Sequence, residues 1–225
     1  MHLEIRPDSA LDQANWHHLQ NLLAREIFTP IYAEIPDFMK VFTKPLEAIQ
    51  RFRDSGVKDN VLDHIRRSVG MAKKLESGIT VENTLWVHDL AEQITGDTPV
   101  LLQKEDDGNA ELMAIHQIVP RQFIPLALDF FHTQRFLKGK EEHSSYVTEN
   151  AVLANAVDRT EGNTHFHRWQ SSQGSRSQKH DDYTFNEINK FTQRLVGLEG
   201  SKLQTAISLL NLQKTYMIHL YGQIE

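Results

Sequence analysis

The sequence predicts an all-α fold. Apolar residues recur at helical spacing along nearly the whole chain, no stretch alternates with the period of two that marks a half-buried strand, and caps and stops punctuate the helical stretches. Ser9 or Asp12 is placed to cap a first helix that includes Trp16, Leu19, Leu22 and Leu23. Pro30 and Pro36 interrupt the next stretch. A second helix is expected from about Pro45, with Leu46, Ile49 and Phe52 inward and Asp54-Ser55-Gly56 as its end. The next contains His64, sets Ile65, Val69 and Ala72 on a 4-3 spacing, and stops at Ser77-Gly78. Thr80 or Asn83 is expected to cap a helix carrying Leu85, His88 and Glu92, which Gly96 ends. Thr98-Pro99 reads as a cap followed by a first-turn proline. Later helices are expected over residues 110–119, 121–137, 149–160, 183–196 and 201–221. Residues 163–182 are rich in Ser, Gln, Gly, His and Arg, with only Phe166 and Trp169 to bury, and read as a long loop. There is no internal repeat.

Composition narrows the function. A chain of 225 residues suits one domain, or one domain with an appendage. With 40% hydrophobic and 24% charged residues it has the balance of a soluble globular protein. Lys+Arg is 24 against Asp+Glu 30, a formal net charge of -6, which argues against a nucleic-acid polymer as partner. A small anionic substrate needs only a local basic pocket and stays open. The absence of cysteine excludes disulfides, thiolate nucleophiles and cysteine-rich zinc sites, and is compatible with a reducing cytoplasm, the expected location. The N-terminus has no basic segment leading into an apolar run, and no apolar run approaches the roughly 20 residues of a membrane span. There is no Gly-Lys-Ser/Thr phosphate loop, and the acidic stretch from Lys104 to Gly108 lacks the alternating ligands of an EF-hand and reads as a turn.

The chemistry lies in a set of metal-ligand residue types. His64 closes Asn60-Val61-Leu62-Asp63-His64, His88 and Asp89 open a ten-residue stretch ending at Asp97, and Asp158 sits in Ala156-Val157-Asp158-Arg159-Thr160-Glu161. Two imidazoles and two carboxylates can hold one divalent cation and leave positions for water and substrate. On a continuous helix His88 and Glu92 are i and i+4, and Asp89 and Glu92 are i and i+3, so all three project to one side. Glu92 would then stand one turn from the ion, suited to orienting or deprotonating water. Taken singly, each residue has a plainer reading. His64 alone is a half-buried histidine, Asp158 alone a surface residue paired with Arg159, and the His88–Glu92 group a solvated helix face. A second His-Asp pair, His180-Asp181, shows how little the dipeptide means by itself.

Together, these stretches resemble the HD-domain metal-dependent phosphohydrolases, whose pattern is His, then His-Asp, then a distant Asp. More narrowly they resemble the branch that includes the 5′-deoxynucleotidases. His-Asp-x-x-Glu-x-x-x-Gly-Asp, from His88 to Asp97, is the most specific part, and the resemblance spans about 51–197. It implies an HD-domain-like helical bundle, with the core over 46–197; outside the resemblance, an N-terminal helical extension packed on the core is expected over 1–45 and a C-terminal helix over 198–225. The resemblance implies one divalent metal ion, with Mn, Fe, Co, Ni, Zn and Mg not distinguished, held by His64, His88, Asp89 and Asp158. Glu92 and Asp97 would flank the attacking water and the scissile phosphate. Arg51-Phe52 is the nearest counterpart of the arginine and aromatic that hold phosphate and sugar in the deoxynucleotidases, and Arg51 or Arg53 would balance the phosphate charge. The activity implied is phosphomonoester hydrolysis of a (deoxy)nucleoside 5′-monophosphate. Two alternatives stand beside it: pyrophosphate hydrolysis of an alarmone or nucleoside triphosphate, and a non-catalytic module that binds metal and nucleotide and signals.

The remaining features have bland expectations. Arg66 and Arg67 read as helix-surface charges with phosphate contact as the minority alternative, and Lys73-Lys74 as solvated. His165-Phe166-His167 reads as loop with incidental histidines, with a metal-binding extension of the cluster as the alternative. Arg176, Lys179 and His180 read as part of the same loop, with a lid over an anionic substrate as the alternative. Leu203, Ile207, Leu210 and Tyr216 make the last helix a core element or a homodimer seam.

Overall fold

The computed structural model describes residues 23–52, 56–96, 108–175 and 177–221. Its first helical residues, 23–28, form α1. A 3-10 turn, Asp37–Phe42, leads into α2, Thr43–Ala48. Next comes a minimal antiparallel ladder of β1, Gln50–Arg51, and β2, Asp59–Asn60, with Gln50 opposite Asn60 and Arg51 opposite Asp59. The chain continues through α3, Val61–Lys74, α4, Ile79–Val87, α5, Glu92–Thr95, and α6, Gly108–Ile118. A second 3-10 turn, Arg121–Phe123, opens α7, Ile124–Leu137. The chain ends with α8, Glu149–Ser172, α9, Gln178–Leu195, and α10, Ser201–Tyr221. The fold is all-α, as the helical spacing predicts. No described helix is long and apolar enough to cross a membrane.

The architecture is organised around α8, which packs against α3, α4, α7 and α10. Its Val152, Leu153, Ala156 and Val157 are buried in the main apolar core with Val61, Ile65 and Val69 of α3 and Leu85 of α4. The small residues Ala151, Ala154 and Ala156 keep the axes of neighbouring helices close. The sequence places α3 by a reciprocal cap. Asp63 N donates to the Asn60 side-chain oxygen at 2.8 Å, and Asn60 Nδ2 donates to Asp63 Oδ2 at 2.9 Å. Lys73 and Lys74 lie in its last turn, where a cation opposes the helix dipole. Lys74 is not merely solvated. Its Nζ donates to the carbonyls of Glu26 at 2.5 Å and Thr29 at 2.7 Å, and so fastens the end of α1 to α3.

Several expectations are corrected. The long loop over 163–182 does not exist: α8 runs on to Ser172 and α9 starts at Gln178. Four polar residues there, Thr164, His167, Gln170 and Asp181, are buried. His167 Nε2 lies 3.1 Å from Thr184 Oγ1, and Thr164 Oγ1 donates to the Thr160 carbonyl at 2.6 Å. Buried polar groups that find partners do not break a helix, although composition makes them look solvated. The helix at Pro45 ends at Ala48, because Ile49 turns to extended backbone and leads into β1. Leu46 is buried as expected, whereas Phe52 sits in a turn at φ 52°. The cap of α4 is Gly78, not Thr80 or Asn83. Ser9, Asp12 and the greater part of the first expected helix, Asp54-Ser55, Thr98-Pro99, the Lys104–Asp107 turn and Arg176 lie outside the described residues.

Residue 70 joins the N-terminal segment to the bundle. A Cβ on Gly70 would stand 1.9 Å from the Ile31 carbonyl oxygen, and Ala33 N donates to Arg66 O at 3.1 Å beside it. Gly70→Ala should therefore push that segment off α3 and destabilise the fold by about 1–3 kcal/mol, the range for overpacking. A denaturant melt of the variant against wild type checks this.

Candidate metal centre

Three elements deliver the four candidate ligands. His64 lies in the first turn of α3, His88 and Asp89 follow the last residue of α4, and Asp158 lies in the middle of α8. One donor atom from each of His64, His88, Asp89 and Asp158 lies within 4.8 Å of all the others. Asp158 Oδ1 is 2.7 Å from His64 Nε2 and 3.2 Å from His88 Nε2. Asp89 Oδ2 is 3.0 Å from His88 Nε2 and 3.6 Å from His64 Nε2. Two donors on one ion with ~2.1 Å bonds can be at most about 4.2 Å apart, so these separations suit a shared cation.

The expected helix through His88, Asp89 and Glu92 is broken. Helix α4 stops at Val87, residues 88–91 are turn, and α5 starts at Glu92. Bonds of the i+3 kind carry the backbone across the break, with Leu90 N to Val87 O at 3.2 Å and Glu92 N to Asp89 O at 3.1 Å. The His88 ring supplies a reason: its Nδ1 lies 2.8 Å from the Leu85 carbonyl, a group the helix would otherwise use. That bond makes Nδ1 the donor and leaves Nε2 as the lone pair facing Asp158. Glu92 is thus placed by a turn rather than by an i, i+4 relation.

The second imidazole is fixed in the same sense by a carboxylate. His64 Nδ1 lies 2.6 Å from Glu161 Oε2, which leaves its Nε2 for the cluster. Glu161 also accepts from Arg67 Nε at 2.5 Å, and Arg67 forks Asp59 with Nη1 to Oδ1 at 3.0 Å and Nη2 to Oδ2 at 2.9 Å. Arg67 is therefore neither a surface charge nor a phosphate contact, since Asp59, Arg67 and Glu161 are all buried. Arg66 instead donates from Nε to the Ala33 carbonyl at 3.1 Å and stacks on Tyr32. The sequence carries a signal for this buried set in a pair of spacings: Arg67 is three residues after His64 on α3, and Glu161 three after Asp158 on α8.

Arg51 approaches the cluster from the ladder. Pairing opposite Asp59 brings its Nη1 to 3.8 Å from Asp59 Oδ2, and that Nη1 is buried without a hydrogen-bond partner among the described residues. Its guanidinium lies over the Phe52 ring at 5.1 Å. A Cβ on Gly162 would stand 3.3 Å from Arg51 Nη2, so the helix surface is pared back where the arginine enters. Burial works against the Arg51 charge, but Asp89, Asp59, Glu161 and Glu92 outweigh it and raise its pKa. Arg53 and Asp97 lie outside the described residues. His165 and His167 do not extend the cluster: His165 Nε2 is 3.9 Å from Asp59, and His167 faces Thr184 and Asp181 across the α8–α9 seam. His180 belongs to α9 and packs on Phe166 with ring centroids 4.5 Å apart.

The electrostatics are those of a candidate ligand set holding protons. Burial and Arg51 oppose charge on His64, but hydrogen bonds to Asp158 and Glu161 hold its pKa above the ordinary histidine value. Burial is likewise overcome at His88 by Asp89 and Asp158, which raise it well above that value. Burial alone would raise Asp158, yet its bonds to the two imidazoles hold it well below the usual carboxylate range. Glu161 is lowered by His64 and Arg67 against the same burial cost. A cation can replace those protons among the same donors, so the residues fit a bound divalent ion.

An all-α scaffold with this His, His-Asp, Asp constellation defines a class, and the sequence comparison agrees. The HD domain profile matches residues 46–199, and the chain belongs to the HD-domain family. No curated protein matches it at a significant level. Among solved structures it is similar to a predicted metal-dependent phosphohydrolase from Magnetospirillum magnetotacticum MS-1. The two are 20% identical with a TM-score of 0.48, over 86% of this chain and 95% of that one. The family assignment rests on the profile alone.

Two outcomes follow. Glu161→Gln should weaken metal affinity about 10–100-fold, the usual cost of losing a partner that orients a ligand, as measured by competition with a metal chelator. Because the pKa values of His64 and His88 are raised, protons should compete with the ion from above the ordinary histidine range downward. Metal affinity should fall as pH is lowered through those values, and excess metal should move the loss to lower pH. Metal content after dialysis across a pH series reads this directly.

Proposed function

We propose that this chain is a metal-dependent phosphohydrolase that acts as a phosphomonoesterase on a (deoxy)nucleoside 5′-monophosphate. The observation that carries the reading is the four-donor cluster with a buried, unpartnered Arg51 Nη1 beside it. Membership of the HD-domain family supports it. His64, His88, Asp89 and Asp158 would hold one divalent cation, which when bound supplies positive charge to polarise a phosphoryl oxygen and to acidify water.

The chain's own residues supply the rest. Arg51 neutralises and orients the phosphate, because its free Nη1 is a preformed donor for a phosphoryl oxygen. Glu92 starts the turn of helix that follows the ligand pair and lies close enough to Arg51 to influence its charge. It accepts the proton of the attacking water as the new phosphorus–oxygen bond forms. The ester oxygen then leaves with a proton, a delivery the sequence resemblance assigns to Asp97. The nucleoside moiety also rests on that resemblance, through Arg51-Phe52.

A phosphate-release screen of nucleotides tests the proposal, with single divalent metals added to metal-stripped protein. Release of inorganic phosphate from a nucleoside monophosphate is expected, whereas pyrophosphate or a diphosphate product would point to a different bond. Glu92→Ala should cut turnover about 10²–10⁴-fold with metal content intact, as for loss of a general base. Asp89→Ala should lose metal and activity together. Full activity in Glu92→Ala would remove that residue from the mechanism.

A further inference from the structure

One imidazole beside Arg51 has no part in the chemistry above. His165 follows Asp158 by two turns of α8 and Gly162 by one, so the three residues share one face of that helix. The β1–β2 ladder lies against this face. A Cβ on Gly162 would stand 3.3 Å from Arg51 Nη2, and the Phe52 ring packs on Phe166 with centroids 5.3 Å apart. Across the ladder from Arg51, Asp59 Oδ2 lies 3.8 Å from Arg51 Nη1 and 3.9 Å from His165 Nε2. Two nitrogens thus converge on one oxygen without bonding to it, while Arg67 Nη2 already donates to that oxygen at 2.9 Å.

The polar neighbours of His165 on α8 are differently provided for. Thr164 donates to the Thr160 carbonyl at 2.6 Å, His167 Nε2 lies 3.1 Å from Thr184 Oγ1, and Arg168 donates to the Phe28 carbonyl at 2.5 Å. His165 makes no hydrogen bond among the described residues. Its side chain is 21% exposed and that of Arg51 17%, so both are largely enclosed yet open to a ligand. Burial and Arg67 hold the imidazole below the ordinary histidine value, against the pull of Asp59 and Glu161. A neutral imidazole carries one N–H donor and one lone pair. A hydroxyl is likewise donor and acceptor, whereas a phosphoryl oxygen is better met by the Arg51 cation. Hydrogen bonds of about 2.9 Å from two nitrogens that converge so closely reach two oxygens of a single small molecule.

We propose that His165 is a specificity-determining residue, which hydrogen-bonds a hydroxyl of the substrate's sugar moiety while Arg51 holds the phosphoryl group. The proposal rests on the phosphohydrolase reading for the phosphate, and it adds a hydroxyl-bearing leaving group. The plainer role is a weak ion pair with Asp59, which supports the ladder whatever is bound. The two roles differ in whether they separate a sugar phosphate from phosphate alone.

The test uses the full chain loaded with a divalent metal, with ribose 5-phosphate and inorganic phosphate as probes in isothermal titration calorimetry. Each protein titrated carries Glu92→Ala, so that the ester survives the measurement. His165→Ala should weaken ribose 5-phosphate about 3- to 30-fold, the worth of one or two neutral hydrogen bonds, and leave inorganic phosphate close to the parent. His165→Gln, which keeps a donor and an acceptor, should recover most of that loss, with metal content equal in all three. Unchanged ribose 5-phosphate affinity in His165→Ala, or no binding of that probe by the parent, overturns the proposal. Equal weakening of both probes overturns it too, as does an equal loss in both variants with a lowered melting temperature, which would mean a structural role. Selective loss in His165→Ala, beside a chain with Glu92 intact that releases no phosphate from any ester, would leave the contact standing and sink the enzymatic reading instead.

Discussion

Glu161 accepts from the His64 imidazole and from the Arg67 guanidinium inside the α3–α8 seam, and the geometry of the site depends on that double contact. A carboxylate taken out of water costs several kcal/mol unless cations and donors surround it. Here Glu161 and Asp59 share Arg67, and Glu161 also holds His64. The arrangement turns an energetic liability into a register lock. If α3 slid or rotated against α8, it would strand at least one buried charge. The His64–Asp158 approach at 2.7 Å is set by the same registration, because Asp158 and Glu161 lie one turn apart on one helix.

The lock extends outward to the substrate side. Asp59, held by Arg67, lies opposite Arg51 in a ladder of only two residues per strand. Such a ladder has negligible stability by itself. It persists because Asn60 caps α3 and Val61 N donates to Ile49 O at 3.1 Å. The arginine proposed to meet phosphate and the histidine suited to the metal therefore hang on one buried charge network. Gly162 completes the arrangement, since a Cβ there would crowd Arg51 Nη2 at 3.3 Å while only touching the His64 ring at 3.9 Å.

Much of the fold was legible, and the misses have physical causes. Helices α6, α7 and α10 and the first half of α8 follow their apolar spacing closely. The second half of α8 was lost because Thr164, His167 and Gln170 look like loop residues. Nothing local reveals that α9 brings Thr184 and Asp181 to meet them. The break after Val87 was invisible for a similar reason. A histidine ring that takes the Leu85 carbonyl changes the backbone path without changing the periodicity of the sequence.

The sequence by itself determined the all-α class, the set of ligand residue types and the absence of any thiol chemistry. These follow from periodicity, residue identity and composition, which are local properties. Only the tertiary structure decided which nitrogen of each imidazole faces the cluster, because that depends on Leu85 O for one ring and Glu161 for the other. It also decided that Arg67 is bonded internally while Nη1 of Arg51, 3.8 Å from Asp59 Oδ2, has no hydrogen-bond partner among the described residues. A charged side chain announces its charge in the sequence. Whether that charge is neutralised within the fold or left to act on a ligand depends on partners far along the chain, as Glu161 lies 97 residues from His64 and 94 from Arg67.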